Sequence, residues 1–220
     1  MSGERWVIFA AGAWCAPSTI KRFLSGSTKT IACDGSLTKC FTEGFEPMWV
    51  IGDMDSVTPE ALAKFQEKGG EVIKRPDQDR HDLAKALAYA RENGASSCFI
   101  FGATGGDEQH TWANLLTCAA SAMDVTCIGP EQVYRFFKPG TPYSIELIPE
   151  VTFSLFALPQ AEGICLSGST YTLNDARMVM GSQGLHNQCA TGRLNLSYAE
   201  GRLMMMHPHP FVSEEDVNEA

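Results

Sequence analysis

The chain of 220 residues is long enough for one large domain or two smaller ones with a real core. Its composition, 44% hydrophobic and 20% charged residues, is that of an ordinary soluble globular protein and excludes disordered, collagen-like and coiled-coil chains. A formal net charge of -9 argues against nucleic acid and anionic membranes as partners, because both are bound through clustered Lys and Arg.

The eight cysteines indicate a reducing compartment. None forms a Cys-x-x-Cys pair, and Cys98 lies inside an apolar run, which is typical of buried free thiols. The amino end shows no secretory signal pattern, and no stretch approaches the length of a membrane span. We therefore expect a cytoplasmic location.

Up to about residue 130, short apolar runs alternate with helix-like segments. The runs lie at 6–9, 30–33, 48–51, 71–73, 98–101 and 125–128. Thr58, Pro59 and Glu60 are typical of a helix start, and Leu83 and Leu87 share one face of another helix. The alternation predicts an α/β domain at 1–138 with a doubly wound, mostly parallel sheet.

The pattern changes after residues 138–140, where helical spacing gives way to short alternating runs with Gly or Pro turns. We expect a smaller all-β domain at 139–209 and an acidic, solvated tail at 210–220. Within the β domain, residues 194–198 and 203–206 flank Glu200 and Gly201, which predicts a hairpin.

Acidic residues gather where the predicted strands end. Asp34 follows the second strand, Asp53 and Asp55 follow the third, and a glycine-rich stretch at 102–106 follows the fifth. The fourth strand is followed by Asp77, Asp79 and Asp82. In an open α/β sheet, ligands bind at the carboxyl ends of the strands. The sequence therefore predicts that these groups share one edge.

The pair Asp53 and Asp55 is a candidate magnesium site. In extended chain the two carboxylates project to the same side, and Mg²⁺ prefers one or two carboxylates together with substrate phosphates. The alternative is a turn at Asp53 followed by a cap on the next helix. Because the other acids point to the same edge, we favour the metal site.

The second acidic cluster lies at the start of a predicted helix. Asp79, Asp82 and Lys85 are spaced three residues apart and share a face there, although acids at a helix start also serve as caps. We select Asp82 as a site residue and expect Asp77 to be structural.

The glycine-rich stretch at 102–106 precedes a predicted helix with Trp112 and Leu115 and is either a phosphate cradle or a tight turn. No Gly-x-Ser-x-Gly or His-Glu-x-x-His motif supports nucleophilic or zinc chemistry. From the residues alone, we predict a magnesium-dependent enzyme that acts on a polyphosphate, most simply ATP.

The chain resembles the thiamine pyrophosphokinases in the order of its motifs, over about residues 6 to 206. The matching motifs are Cys33-Asp34-Gly35, Gly52-Asp53-Met54-Asp55-Ser56, Pro76-Asp77-Gln78-Asp79, Asp82-Leu83-Ala84-Lys85-Ala86-Leu87, Gly102-Ala103-Thr104-Gly105-Gly106, and Gly181-Ser182 leading to His186-Asn187. Each motif is common alone, but their order along the chain is specific.

The resemblance implies an α/β nucleotide-binding catalytic domain followed by a β-sandwich that binds thiamine, in a homodimer with sites between subunits. The implied reaction moves a diphosphoryl group from ATP to the thiamine hydroxyl and releases AMP. Asp53, Asp55 and Asp82 would be catalytic and hold Mg²⁺. Nucleotide contacts would come from Asp34, Gly35, Gln78, Asp79, Lys85, Gly102, Thr104, Gly105 and Gly106, and thiamine contacts from Gln109, Ser182, His186 and Asn187.

The sequence departs from the family pattern mainly where thiamine is expected. The family's Arg-x-Asp-His is Asp107-Glu108-Gln109-His110 here, so a neutral Gln109 replaces an acid that Glu108 could supply. A Thr is replaced by His81, and a Ser by His186. The expected magnesium ligands are kept, whereas the acceptor pocket is altered.

Two other functions are compatible with these residues. One is a related pyrophosphokinase with a different hydroxymethyl acceptor, such as a pterin, which the thiamine-type second domain disfavours. The other is a thiamine or nucleotide sensor without turnover, which the intact Asp53, Asp55 and Asp82 disfavour.

Overall fold

The computed structural model describes residues 4–77 and 79–209. The chain forms two compact units, Met1–Gly129 and Pro130–Ala220. The division falls before residue 138 because strand β7 (Gln132–Phe137) pairs with strand β13 (Glu200–Pro208) of the second unit. The acidic tail expected at 210–220 lies outside the described residues.

The described part of the first unit contains six parallel strands in the order β4-β3-β2-β1-β5-β6. They are β1 (Glu4–Phe9), β2 (Lys29–Cys33), β3 (Trp49–Gly52), β4 (Glu71–Lys74), β5 (Ala95–Phe101) and β6 (Asp124–Ile128). Each predicted strand is confirmed, because a short apolar run is stable when both of its faces are covered.

Among the described residues, five α-helices connect these strands: α1 (Pro17–Lys21), α2 (Leu37–Thr42), α3 (Pro59–Glu67), α4 (Asp82–Glu92) and α5 (Glu108–Ala120). The predicted start of α3 is confirmed, since the Thr58 hydroxyl accepts a hydrogen bond from the amide of Ala61 at 3.2 Å. The sequence did not indicate α1 and α2, which have only five and six residues and leave little periodicity to detect.

The core of the first unit is built from the middle of the sheet. Trp6, Ile8 and Ile100 are fully buried, and the ring of Trp6 stacks on Trp49 with centroids 5.1 Å apart. This apolar layer holds the strand ends in fixed positions, so side chains beyond them project from a rigid frame.

In the second unit, every regular element of residues 130–209 is a β-strand. These strands are β7, β8 (Tyr143–Glu146), β9 (Thr152–Ser167), β10 (Leu173–Val179), β11 (Gly184–Gln188), β12 (Arg193–Ser197) and β13. The long β9 pairs with β10, β11, β12 and β13 in antiparallel fashion. Its core includes Phe153, Leu155, Leu194 and Met205.

The hairpin predicted around Glu200 and Gly201 is wrong. Ser197 pairs with Cys165 and Glu200 pairs with Glu162, so β12 and β13 follow each other along the same edge of β9. The register shifts only after Gly201. A polar Glu-Gly step between alternating runs resembles a reversal in sequence, but here it precedes a bulge, where the stretch of β9 from Ala161 to Ala157 is two residues longer than the facing stretch from Gly201 to Leu203.

Two further expectations concern the thiols and the membrane. All eight cysteines are free and seven are buried, as predicted, while Cys165 is exposed. Among the described residues, none of the helices has both the length and the apolar character needed to cross a membrane.

Candidate active site

A cleft of about 610 Å³ lies at the carboxyl ends of the first unit's strands. Its walls come from the segments after β1 to β5 and from the first turns of α4 and α5. The structure therefore brings five of the six acids predicted for one edge into one cavity, namely Asp34, Asp53, Asp55, Asp77 and Asp82, and Asp107 lines it as well.

Asp34 is the most buried of these acids, with 1% of its surface exposed. Its carboxylate accepts hydrogen bonds from the amides of Gly35 at 2.6 Å and Met54 at 3.0 Å. Burial raises the pKa of Asp34 to about 7, and a hydrogen bond with the neighbouring Asp82 carboxyl adds to the rise. Asp34 is therefore a group that holds a proton easily near neutral pH when no cation is close.

The backbone around Asp34 leaves room for its carboxylate. A side chain at Gly52, the last residue of β3, would place its Cβ 2.6 Å from the Asp34 Cγ atom. Glycine is therefore required there by close packing and not by its own conformation.

Asp53 and Asp55 approach each other through a turn and not through the extended chain expected from the sequence. Met54 between them has a φ of 71°, in the left-handed region, and the Asp55 amide donates to the Asp53 carboxylate at 3.3 Å. That hydrogen bond lowers the pKa of Asp53. Such a backbone conformation is costly for a residue with a side chain and is common at functional sites.

Three carboxylates lie at distances suited to sharing one cation. Asp34, Asp53 and Asp55 each offer an oxygen, and these oxygens lie within 4.8 Å of one another. All are hard ligands of the kind that Mg²⁺ prefers. The set contains Asp53 and Asp55 as expected, with Asp34 as the third member in the place expected for Asp82.

Asp82 begins α4 and contacts Lys85, whose ammonium lies 3.0 Å from the carboxylate. The Lys85 side chain is only 5% exposed, so the pair is nearly desolvated on one side. His81, just before the helix, does not cap it: its ring forms a hydrogen bond with the Thr117 hydroxyl of α5 at 2.9 Å, and burial lowers its pKa. The start of α4 is thus tied to α5.

The glycine-rich turn at 102–106 packs against the loop after β1, a loop that was not predicted to belong to the site. The amides of Gly12 and Ala13 donate to Gly102 and Thr104 carbonyls at 2.9 and 2.8 Å. A Cβ at Gly12 would lie 2.5 to 2.7 Å from three carbonyl oxygens of this turn. The signal was present, because Ala10, Ala11 and Gly12 directly follow a strand.

Asp107 caps α5, since its carboxylate accepts a hydrogen bond from the His110 amide at 2.9 Å. Asn114 of the same helix donates to the Ala103 carbonyl at 2.8 Å, which fixes the turn to the helix. Gln109 is exposed on α5 and does not line the cleft, whereas His110 and Thr111 do.

Of the predicted nucleotide contacts, six line the cleft: Asp34, Gly35, Lys85, Gly102, Gly105 and Gly106. Asp79 and Thr104 do not. The Asp79 amide instead donates to the Asp77 carboxylate at 2.9 Å, as part of a turn that also holds Arg80. Gln78 lies outside the described residues.

Comparison with known proteins explains this arrangement. The model of the catalytic domain of thiamin pyrophosphokinase matches residues 20–127, which carry most of the cleft. The chain is 27% identical over 187 residues to the thiamine pyrophosphokinase of Bacillus subtilis, which covers 81% of this chain and 86% of the relative. The chain is thus similar to the thiamine pyrophosphokinase family.

Solved structures of the family share the fold. The thiamine pyrophosphokinase of Bacillus subtilis superimposes with a TM-score of 0.78 at 22% identity, covering 92% of this chain and 98% of its own. That of Geobacillus thermodenitrificans gives 0.77 at 22% identity, covering 93% and 97%. The mixed strands and helices described above are therefore the thiamine pyrophosphokinase fold.

The remaining predicted site residues lie in the second unit. Ser182 and His186 are exposed, and His186 has a φ of 55°. Asn187 is buried. Its Oδ1 atom accepts a hydrogen bond from the Tyr171 amide at 3.0 Å, and its Nδ2 atom donates to the Tyr171 carbonyl at 2.7 Å. Its side chain is thus engaged in holding the chain around Tyr171, whereas Ser182 and His186 present theirs to solvent.

Proposed function

We propose that this chain is a thiamine pyrophosphokinase, which transfers a diphosphoryl group from ATP to thiamine and yields thiamine diphosphate and AMP. The observation that carries the proposal is the family match over residues 20–127, whose strand ends build the acidic cleft. The thiamine hydroxyl attacks the β-phosphorus, the bond to the oxygen bridging the α- and β-phosphates breaks, and the hydroxyl proton is released.

The chain's own contribution to this reaction is positioning. Phosphoryl transfers need alignment and charge neutralisation more than covalent help from the protein. In our proposal the glycine-rich turn and Lys85 hold the phosphates, and Asp82, which faces the cleft, orients the attacking hydroxyl.

Mg²⁺ is the cofactor proposed for Asp53 and Asp55. The donor set suits it, because the oxygens of Asp34, Asp53 and Asp55 lie within 4.8 Å of one another and two of the three carboxylates are exposed to the cleft. When bound, the ion neutralises charge on the phosphate oxygens. Asp82 stays a predicted ligand of Mg²⁺. Asp34 is a further candidate ligand because its carboxylate lies close to those of Asp53 and Asp55.

We also propose a finer description of the fold. The parallel order reverses direction at β1, and right-handed crossovers from such an order lead to helices on both faces, as in a doubly wound domain. In the second unit, β9 has different partners along its two halves, β11 and then β10, which favours a sandwich. The two domains would bind nucleotide and thiamine, respectively.

The assembly and location are further parts of the proposal. Family resemblance supports a homodimer with sites between subunits, which light scattering on the purified protein tests. Seven buried free thiols support a reducing cytoplasm. The net charge of -9 disfavours nucleic acid and anionic membranes as partners.

The deciding experiment measures AMP release by the purified protein with ATP and Mg²⁺, with and without thiamine. We expect AMP only when thiamine is present, with thiamine diphosphate in equal amount. The proposal is wrong if AMP forms only with a hydroxymethylpterin. It is also wrong if none of the tested acceptors leads to AMP release.

A further inference from the structure

The charge balance of the cleft poses a problem for an anionic ligand. Six carboxylates line it, against two side chains with a fixed positive charge, Arg80 and Lys85. A nucleotide triphosphate brings several more negative charges, and like charges in one cavity repel strongly. Mg²⁺ offsets part of this repulsion, so each protein cation that can reach a phosphate matters.

Lys85 is already committed to a protein carboxylate. Its ammonium lies 3.0 Å from Asp82, and its side chain is only 5% exposed. Removing a buried cation from its partner is costly, so this pair is expected to persist when a ligand binds. A phosphate that approaches Lys85 would therefore share its ammonium group with the Asp82 carboxylate.

Arg80 is placed differently. Its side chain is 59% exposed and contacts the described part of the chain through one ion pair, from Nε to the Asp77 carboxylate at 2.8 Å. The contact through Nε orients the guanidinium, and neither terminal Nη group forms a hydrogen bond with a described residue. Asp77 is itself held by the Asp79 amide, so the orientation rests on a closed turn.

We propose that Arg80 binds the polyphosphate of the nucleotide and is a specificity residue for triphosphate over monophosphate. This inference rests on the proposed function. A guanidinium presents paired N–H donors that match phosphate oxygens, and it stays charged at any physiological pH. Arg80 lines the cleft and Asp77 engages only its Nε, so in this proposal the two Nη groups supply the donors to the phosphate oxygens.

The test compares Arg80→Gln with Arg75→Gln in the full-length protein. Arg75 is a matched control, because it is also a surface arginine paired with one carboxylate, Glu92, at 2.8 Å, but it does not line the cleft. Binding of α,β-methylene-ATP with Mg²⁺, which cannot transfer its diphosphoryl group, is measured by calorimetry beside binding of AMP.

We expect Arg80→Gln to weaken binding of the triphosphate analogue on the order of tenfold or more, because a charge-assisted contact is lost. Binding of AMP should stay unchanged, and Arg75→Gln should behave as the unchanged protein with both ligands. In turnover, Arg80→Gln should raise KM for ATP more than it lowers kcat.

Three outcomes would overturn the inference: unchanged binding of the analogue by Arg80→Gln, an equal loss for analogue and AMP, or an equal loss in Arg75→Gln. Failure of the proposed function gives a different result. The unchanged protein would then bind the analogue but release no AMP with thiamine, and the binding comparison at Arg80 would still decide the inference.

Discussion

At the residue scale, the acids of the cleft differ more in environment than in type. Asp34 is buried and accepts two amide hydrogen bonds, Asp53 and Asp55 are exposed, and Asp82 faces a lysine. Such contrasts between neighbouring carboxylates separate their protonation behaviour and hence their roles. The exposed pair is therefore the part of the cluster most open to a cation.

Asp55→Asn tests this pair directly. The amide keeps the shape of the side chain but removes its charge, so Mg²⁺-dependent AMP release should fall on the order of 100-fold, as when a charge-stabilising group is lost from an active site. Because Asp55 is exposed, thermal melting should be unchanged.

Asp175→Asn is the matched control. Asp175 is exposed in the second unit with a φ of 49°, a conformation that Asn accepts readily, so both activity and melting should be retained. Near-normal activity of Asp55→Asn would contradict the metal-site argument.

At the element scale, the polar residues of the cleft follow the ends of the strands, whereas the buried apolar residues that stabilise the fold lie within the strands. In the first unit the segments after β1 to β5 meet in the cleft, because parallel strands end at one edge. In the second unit, the pairing of β7 with β13 places His207 beside Arg135, and the ring is 1% exposed.

The pairing of β7 with β13 predicts a pH dependence of stability. Burial lowers the pKa of His207 to about 4, and the nearby positive charge of Arg135 adds to this. The His207 Nε2 atom accepts a hydrogen bond from Arg135 at 3.0 Å, which only the neutral ring can do. As pH falls from about 6.5 towards 4, the unfolded chain takes up a proton that the folded chain refuses, so the free energy of unfolding should fall by about 3 kcal/mol.

Chemical denaturation at several pH values checks this slope. His207→Gln keeps an acceptor for Arg135 and removes the titrating ring, so its free energy of unfolding should decline less between pH 6.5 and 4 than that of the unchanged protein. Parallel curves for the two proteins would show that His207 does not contribute.

At the scale of the whole molecule, the predicted nucleotide contacts and most of the predicted thiamine contacts fall in different units. Every residue that lines the cleft belongs to the first unit, whereas three of the four predicted thiamine contacts, Ser182, His186 and Asn187, belong to the second. Substitutions in the second unit should therefore weaken thiamine binding and leave nucleotide binding unchanged.

His186→Asn tests this expectation. Asn tolerates the left-handed φ of 55°, so the backbone should be kept while the imidazole is lost. We expect KM for thiamine to rise several-fold, as for loss of one polar contact, with KM for ATP unchanged. Steady-state kinetics with each substrate varied in turn measures both, and an equal rise in both constants would refute the assignment.

The sequence by itself determined the strands of the first unit, the helices α3, α4 and α5, and which strand ends carry carboxylates. Apolar runs at 6–9 and 98–101, cap residues such as Thr58, and the strand-end positions of Asp34 and Asp53 are local patterns, readable from a few neighbouring residues. They were sufficient to predict the parallel sheet and the edge at which the acids meet.

Only the tertiary structure decided which groups touch. It brought Asp34 within ligand distance of Asp53 and Asp55, because Gly52 leaves space and the Met54 amide holds the carboxylate. It also laid β12 and β13 along β9 where a hairpin was expected. Contacts of this kind join residues distant in the chain at a precision of about one ångström, and they follow from close packing of the whole unit, which no local pattern encodes.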